Sequence, residues 1–583
     1  MFLRRIRVRK GRKSHSYWAI VRTVRTPRGP RQELVSYLGE LSATQSAQYA
    51  RLRRIVADAE PVQLELFDSD ATPDWVKVDV RRMRVERVRQ FGGVWLALKL
   101  WGTLEFDRLL ERCVPQHREE IRWGLVGCIL TVARFESPGS ELAIESRWYE
   151  QSALADLLGV PPEKVNTDRL YRGLDALVEH KGEIEEHLRG RYRTLFQSEF
   201  DILLYDVTSS YFEGLAEGNT LAARGYSRDH RPDCKQVLIA LVVTKEGLPL
   251  AFEVFEGNTN DVETLQGIVE KIEGVHGRAS GLWVVDRGMV SEENLAWLRE
   301  RGAHYLVGTP RSKLRHYEAA LREQGWSEVY EDIEVKAVPG PDGEETFLLC
   351  RSRSRREKEA AIHRRFIDRI EKGLVALETA VREGRLKDRE KIGRRIGALL
   401  KHNRRAARAF EIQVVADDHG AVRLVWTKRT EWLEWAELSE GAYLLRTNLV
   451  GWQPEQMWKT YMQLAQVENA FRISKNDLGI RPIFHHTAER TRGHILVCFL
   501  SYVMWKTLEK LCEASGLGTS ARTVQQEIKQ LVTVDVVMPT AQGQPMRLRC
   551  VAEPDQRLKE LLDHLGMKLP RRLRLPGNLG AAM

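Results

Sequence analysis

Two apolar runs, each closed by an aspartate, set the tightest limit on what this chain can fold into. Ile202-Leu203-Leu204-Tyr205 leads into Asp206, and Leu282-Trp283-Val284-Val285 leads into Asp286. Short apolar runs rich in branched and aromatic residues read as strands. Around them the pattern predicts strands over 201–207, 236–244 and 248–255, with a tight turn at Lys245-Glu246-Gly247 joining the last two. A helix over 262–272, a strand over 282–286, a helix over 292–299 and a strand over 305–307 follow. Three strands followed by alternating helices and strands argue for a mixed sheet with helices on its faces.

That βββαβαβ order is the one found in ribonuclease-H-like folds. It makes the expected class α/β, a ribonuclease-H-like catalytic core. At 583 residues the chain has room for several further domains. Residues 1–75 read as a basic N-terminal β region and linker, with 42–75 a short helix and linker. Residues 76–199 read as a helical domain for DNA binding or dimerisation. The core occupies 200–309 and 451–515, a β-rich insertion with a basic helical hairpin occupies 310–450, and 516–583 form a C-terminal appendage.

Charge is uneven. Residues 1–40 hold 11 Lys/Arg against 2 Asp/Glu, and residues 351–410 hold 20 against 8. The chain as a whole is only +10, so the remainder is acidic. Two basic islands on an acidic body suggest a polyanionic partner or two solvated surfaces. The seven cysteines are dispersed, without zinc spacing, and fit a reducing cytoplasm. The N-terminus lacks the pattern of a signal peptide, and the longest apolar stretch, 495–505, is too short to span a bilayer.

A third acid lies downstream. From Pro454 the spacing predicts one helix ending before Gly479. On it Met457, Tyr461, Leu464, Glu468, Phe471 and Lys475 follow at steps of 4, 3, 4, 3 and 4. At about 100° per residue they share one narrow face, which should pack inward and carry Glu468 with it. An unpaired buried carboxylate is costly, so Asp206, Asp286 and Glu468 together suggest a common counter-charge. Hard-oxygen ligands of this kind suit magnesium, which keeps several waters and binds through few carboxylates.

Tyr461-x2-Leu464-x3-Glu468-x6-Lys475 resembles the Y-R-E-K signature of a large group of DDE insertion-sequence transposases. Tyr205-Asp206-Val207-Thr208-Ser209 and Asp286-Arg287-Gly288-Met289 resemble that group's first two catalytic motifs. Gly257-Asn258-Thr259-Asn260-Asp261, Arg481-Pro482-Ile483-Phe484-His485 and Gly493-His494 are similar to its other motifs, over roughly 200–515. The long insertion between the second Asp and the Glu is also a hallmark of the group.

The resemblance implies metal-dependent cleavage at terminal inverted repeats and strand transfer into target DNA, by cut-and-paste. Asp206, Asp286 and Glu468 would be catalytic and hold two Mg2+ ions, with Mn2+ able to substitute. Tyr461, Lys475, Arg472 and Arg481 would contact DNA phosphates, and the loop residues Arg228 and Arg231 are further candidate DNA contacts. The partners implied are double-stranded DNA, as element ends and target, and a second copy of the chain in a paired-end complex. No membrane is implied, and the location would be the cytoplasm, at the nucleoid. Leu464 stands where the signature has arginine, which puts one phosphate clamp in doubt, with Arg472 or Arg481 to compensate. Trp426, Trp432 and Trp435 read as packing residues or as a platform for a flipped base. The competing readings are a catalytically inactive end-binding repressor, a nuclease or resolvase of the same fold, and a ribonuclease acting on hybrids.

Overall fold

A computed structural model describes residues 2–10, 13–26, 29–39, 77–115, 119–276, 281–416, 422–518, 521–540 and 545–573. The helix and linker expected over 42–75 fall outside them. The chain divides into two compact units, Met1–Ala279 with Ala465–Met583, and Ser280–Leu464.

The first unit opens with an antiparallel sheet of β1 (Phe2–Lys10), β2 (Lys13–Thr26) and β3 (Gly29–Gly39). Next come β4 (Arg84–Gln90) and the helices α1 (Gly92–Thr103), α2 (Trp123–Glu136), α3 (Thr167–Glu179) and α4 (Lys181–Phe196). The Asn166 side chain caps α3 by accepting from the Arg169 N–H. Then β5 (Ile202–Tyr211), β6 (Gln236–Thr244) and β7 (Pro249–Glu256) form an antiparallel meander. Every residue of β6 is buried, as expected of a strand covered on both faces. Gly247 turns the β6–β7 hairpin at φ 80°, a value that glycine reaches without a steric penalty. α5 (Asp261–His276) closes the segment. β5 runs four residues past the expected end, so Asp206 lies within the strand and not at its tip.

The second unit begins with β8 (Leu282–Val285), α6 (Glu292–Glu300) and β9 (His304–Thr309), with β8 and β9 parallel. β10 (Ser327–Tyr330), β11 (Ile333–Pro339) and β12 (Thr346–Ser352) follow. α7 (Arg353–Arg382), whose 30 residues span about 45 Å, turns into α8 (Arg389–His402). The hairpin of β13 (Phe410–Ala416) and β14 (Val422–Lys428) packs against that helical pair. α9 (Thr430–Ser439), β15 (Ala442–Thr447) and α10 (Pro454–Met462) complete the unit. Its sheet runs β10-β11-β12-β15-β9-β8 and is mixed, since only β8 and β9 are parallel. Trp426 and Trp432 pack on the Ile370, Leu374 and Phe410 core, and Trp435 packs on the Phe347 and Leu444 core. Trp426 also donates to Glu378 at 3.1 Å. The three tryptophans are packing residues.

The chain then returns to the first unit with α11 (Ala465–Asn476), α12 (Ala488–Ala514), α13 (Ala521–Ile528), β16 (Val532–Pro539), β17 (Pro545–Val551), α14 (Gln556–Leu565) and β18 (Arg572–Leu573). α12 is buried around most of its circumference and packs on α1, α2, α3, α11 and β7. No helix among the described residues is long and apolar enough to cross a membrane.

Two expectations fail here. Residues 516–573 are no appendage: β16 pairs with β4, with Val537 opposite Arg84, in a four-stranded sheet ordered β18-β17-β16-β4. The helix expected from Pro454 is two helices. α10 ends in 3₁₀-type bonds, Gln463 N–H to Thr460 O at 3.1 Å and Leu464 N–H to Tyr461 O at 3.0 Å. The buried side chains of α11 are Val467, Ala470, Phe471, Ile473 and Ser474, so its inward stripe is offset from Glu468.

Candidate functional site

In the first unit, Asp206 is half-buried on β5, and its Oδ1 accepts from the Val207 N–H at 2.8 Å. α11 packs on β5 and β6 and carries Glu468 in its first turn. Glu468 is exposed, contrary to the inward-facing expectation, because α11 packs through Val467, Ala470, Phe471, Ile473 and Ser474. Glu468 is therefore open to water, an arrangement that costs the fold little and leaves its oxygens accessible.

Lys475 lies seven residues beyond Glu468, two turns along α11. Its Nζ donates to Asp229 Oδ1 at 2.8 Å, and Arg481 pairs with the same oxygen. Burial pulls the Lys475 ammonium below the usual lysine range, and the Asp229 carboxylate opposes that shift. Arg228, the residue before Asp229 in the loop, pairs with Asp261 of the Gly257–Asp261 motif. Arg231 is held by Asp233 at 2.9 Å and Glu213 at 3.4 Å and lies over the Tyr211 ring. Arg472 is exposed and donates to Asn469 at 2.6 Å.

In the second unit, Asp286 follows β8 and is exposed. Tyr461 on α10 donates its hydroxyl to Asp286 Oδ1 at 3.4 Å. Burial, and after it the Asp286 charge, raises the Tyr461 phenol well above its ordinary value, so the hydroxyl stays protonated and can donate. Gly308 on β9 makes room for it: a Cβ there would lie 2.5 Å from the Tyr461 oxygen. Gly308→Ala should therefore push Tyr461 away from Asp286. The expected result is a loss of cleavage of about tenfold to a hundredfold with little change in melting temperature, read by comparing cleavage rates with thermal unfolding. Leu464 is 6% exposed and serves as a packing residue. An arginine at this position would have to bury its guanidinium.

Among the described residues, one group has side chains of metal-ligating type close together, and none of the three predicted acids belongs to it. Glu141, His485 and His494 are buried in the first unit with candidate ligand atoms within 4.8 Å of one another. Glu141 Oε1 lies 3.6 Å from His485 Nε2. His494 Nδ1 faces the Arg134 guanidinium at 3.3 Å, and its Nε2 faces the Ile480 carbonyl at 3.2 Å. These partners assign a neutral ring with the proton on Nε2 and its remaining lone pair committed to Arg134. A cation would also meet that guanidinium, so the cluster reads as a satisfied polar core.

Burial holds both imidazoles below the ordinary histidine value, His494 furthest. Groups with depressed folded-state values bind more protons when unfolded. Their stabilisation is complete above the free histidine value near 6.5 and is lost as pH falls below it through the folded values. Urea midpoints should accordingly fall between pH 7.5 and pH 5, less steeply in His494→Gln.

Sequence reasoning did not single out Asp229 or Gly308, and it marked Asp261 only as part of a motif. Asp229 is the one acid among the basic residues of the stretch Gly225 to Arg231, a signal available in the sequence. Residues 197–504 match the family described as the transposase DDE domain. The match spans more than half of the chain, and the chain belongs to that family: it is an insertion-sequence transposase of the DDE class. It is thereby an enzyme acting on DNA, in a class that works with divalent metal ions. Among curated proteins, none matches the chain.

Proposed function

We propose that the chain has a ribonuclease-H-like core with a Y-R-E-K-type site, cuts the ends of its element and joins the freed 3′-hydroxyls to target DNA by cut-and-paste. The observation that carries this reading is the hydrogen bond from Tyr461 to Asp286. The signature tyrosine and the second acid are 175 residues apart in the chain and meet in the fold.

The donor set fits magnesium. Asp206, Asp286 and Glu468 are carboxylates with access to water, and magnesium retains waters beside a few carboxylates. Asp206, Asp286 and Glu468 would hold two Mg2+ ions, with Mn2+ able to substitute. The ions would supply Lewis-acid activation of the attacking water or 3′-hydroxyl and charge stabilisation of the leaving oxygen. Tyr461, kept protonated, has one hydroxyl proton, which it donates to Asp286 in the free protein and can turn toward a phosphate oxygen when DNA is bound. Lys475 and Arg481 supply positive charge at the end of α11, and Arg472 adds an exposed guanidinium on the same helix.

DNA is gripped along its backbone by the basic pair α7 and α8 and by the segment after it. Arg395, Lys401, Arg404 and Arg405 are exposed and have no ion-pair partner among the described residues. Such contacts make affinity fall steeply with salt. The basic segment 1–40 reads the terminal repeat, and two copies of the chain pair the two ends at the nucleoid.

The test is incubation of the intact protein with Mg2+, linear DNA carrying the element's ends, and a supercoiled target. Cut ends and joined products are expected. Binding without cutting would replace this reading with an end-binding repressor, and cutting without joining would replace it with a nuclease.

A further inference from the structure

We propose that Asp229 is a positioning residue, holding Lys475 and Arg481 as one preformed phosphate-binding pair. The proposal rests on the reading of Lys475 as a phosphate contact.

The Asp229 side chain is 2% exposed, and its Oδ1 takes both cations, Lys475 at 2.8 Å and Arg481 beside it. Its Oδ2 is buried without a hydrogen-bond partner among the described residues. A carboxylate so placed is costly on its own, and two cations converging on one of its oxygens offset that cost. The loop that carries it is anchored at several points. The Arg228 N–H donates to Ser209 Oγ at 3.1 Å, three residues beyond Asp206 on β5. The Arg228 side chain pairs with Asp261, the Arg231 N–H donates to Ser227 Oγ at 3.0 Å, and Gln236 Nε2 donates to the Tyr226 and Gly257 carbonyls at 3.1 and 2.8 Å.

Asp229 thus sits at a fixed height above β5, and whatever it holds is fixed relative to that strand. Lys475 is 11% exposed and Arg481 28%, so each is covered by protein but retains an outer edge. Lysine has three donors and arginine five, and the carboxylate uses only some of them. One buried carboxylate between two cations leaves a net positive charge and unused donors for an incoming phosphate, with the conformational freedom of both side chains already reduced. Without Asp229, burial and the charges of Arg481 and Arg228 would depress the Lys475 ammonium further.

The experiment measures binding of end DNA by full-length protein as a function of pH, for the parent, Asp229→Asn, Lys475→Gln and the double variant, with thermal unfolding alongside. Asp229→Asn is expected to weaken binding about tenfold and to move the alkaline loss of binding to lower pH. In the Lys475→Gln background it should add no more than about twofold. A purely structural role would give additive losses and an unmoved pH limit, and that result would overturn the proposal. Binding as tight as the parent's, or tighter, would overturn it too, since Asp229 would then compete with DNA. If Lys475→Gln itself binds normally, the phosphate-contact reading fails at its source. Asp229→Glu keeps the buried charge and carries the test should Asp229→Asn not fold. It should bind severalfold more weakly with the parent's alkaline limit, and parent-like affinity would count against positioning.

Discussion

Glu468→Gln should cut element ends about a thousandfold more slowly than the parent, a rise of ~4 kcal/mol in the barrier, while binding them about as well. The reason lies in where Glu468 sits. It is exposed in the first turn of α11, while the stripe that fastens this helix runs through Val467, Ala470, Phe471 and Ser474. Surface substitutions of this kind change stability by only about 0.5 kcal/mol. Glutamine keeps the shape and removes the charge, so a loss confined to the cutting step means that a ligand charge has gone. Single-turnover cleavage, gel-shift titration and thermal unfolding on one preparation separate the three quantities. Equal loss of binding and cutting would place Glu468 among the DNA contacts instead.

Arg549→Ala should destabilise the first unit by about 3–5 kcal/mol, because it leaves buried carboxylates without their partner. Arg549 is 3% exposed and joins Asp535 of β16, at 2.6 and 2.9 Å, to Asp156 of the helical region. Both side chains are essentially inaccessible, at 1% and 0%. Burial pushes the Asp156 carboxyl up, whereas at Asp535 the Arg549 guanidinium overcomes burial and brings it down. Arg89 also reaches Asp156, at 2.8 Å, and would retain part of the network. Arg549→Lys should fall between parent and alanine, since an ammonium cannot make the paired bonds to Asp535. Urea unfolding measures the series, and a loss under about 1 kcal/mol would show that the C-terminal strands contribute little to the unit.

The strands of the core were legible because their apolar runs are continuous. β5 to β9 lie close to where the pattern puts them. What was not legible has particular causes. Arg84–Gln90 alternates charges and valines in a region otherwise helical, and its partner lies about 450 residues away, so nothing local marks β4 as a strand. The break after Met462 carries no proline or glycine. Without a breaker, the periodicity of Met457, Tyr461, Leu464 and Glu468 read as one inward face. Asp206 and Asp286 stood out because each closed an apolar run, and Glu468 because the signature spacing marked it. Asp229 did not, since its contact with Lys475, 246 residues on, is made only by the fold.

The central claim is that Asp206, Asp286 and Glu468 share metal ions. Iron-directed cleavage of the polypeptide tests it most directly, with Fe2+ and ascorbate replacing Mg2+ in the full-length protein bound to end DNA. The account predicts backbone breaks beside positions 206, 286 and 468, suppressed by excess Mg2+ and reduced together in Glu468→Gln. Breaks confined to the neighbourhood of Glu141, His485 and His494, or an absence of Mg2+-suppressible breaks at the three acids, would contradict it.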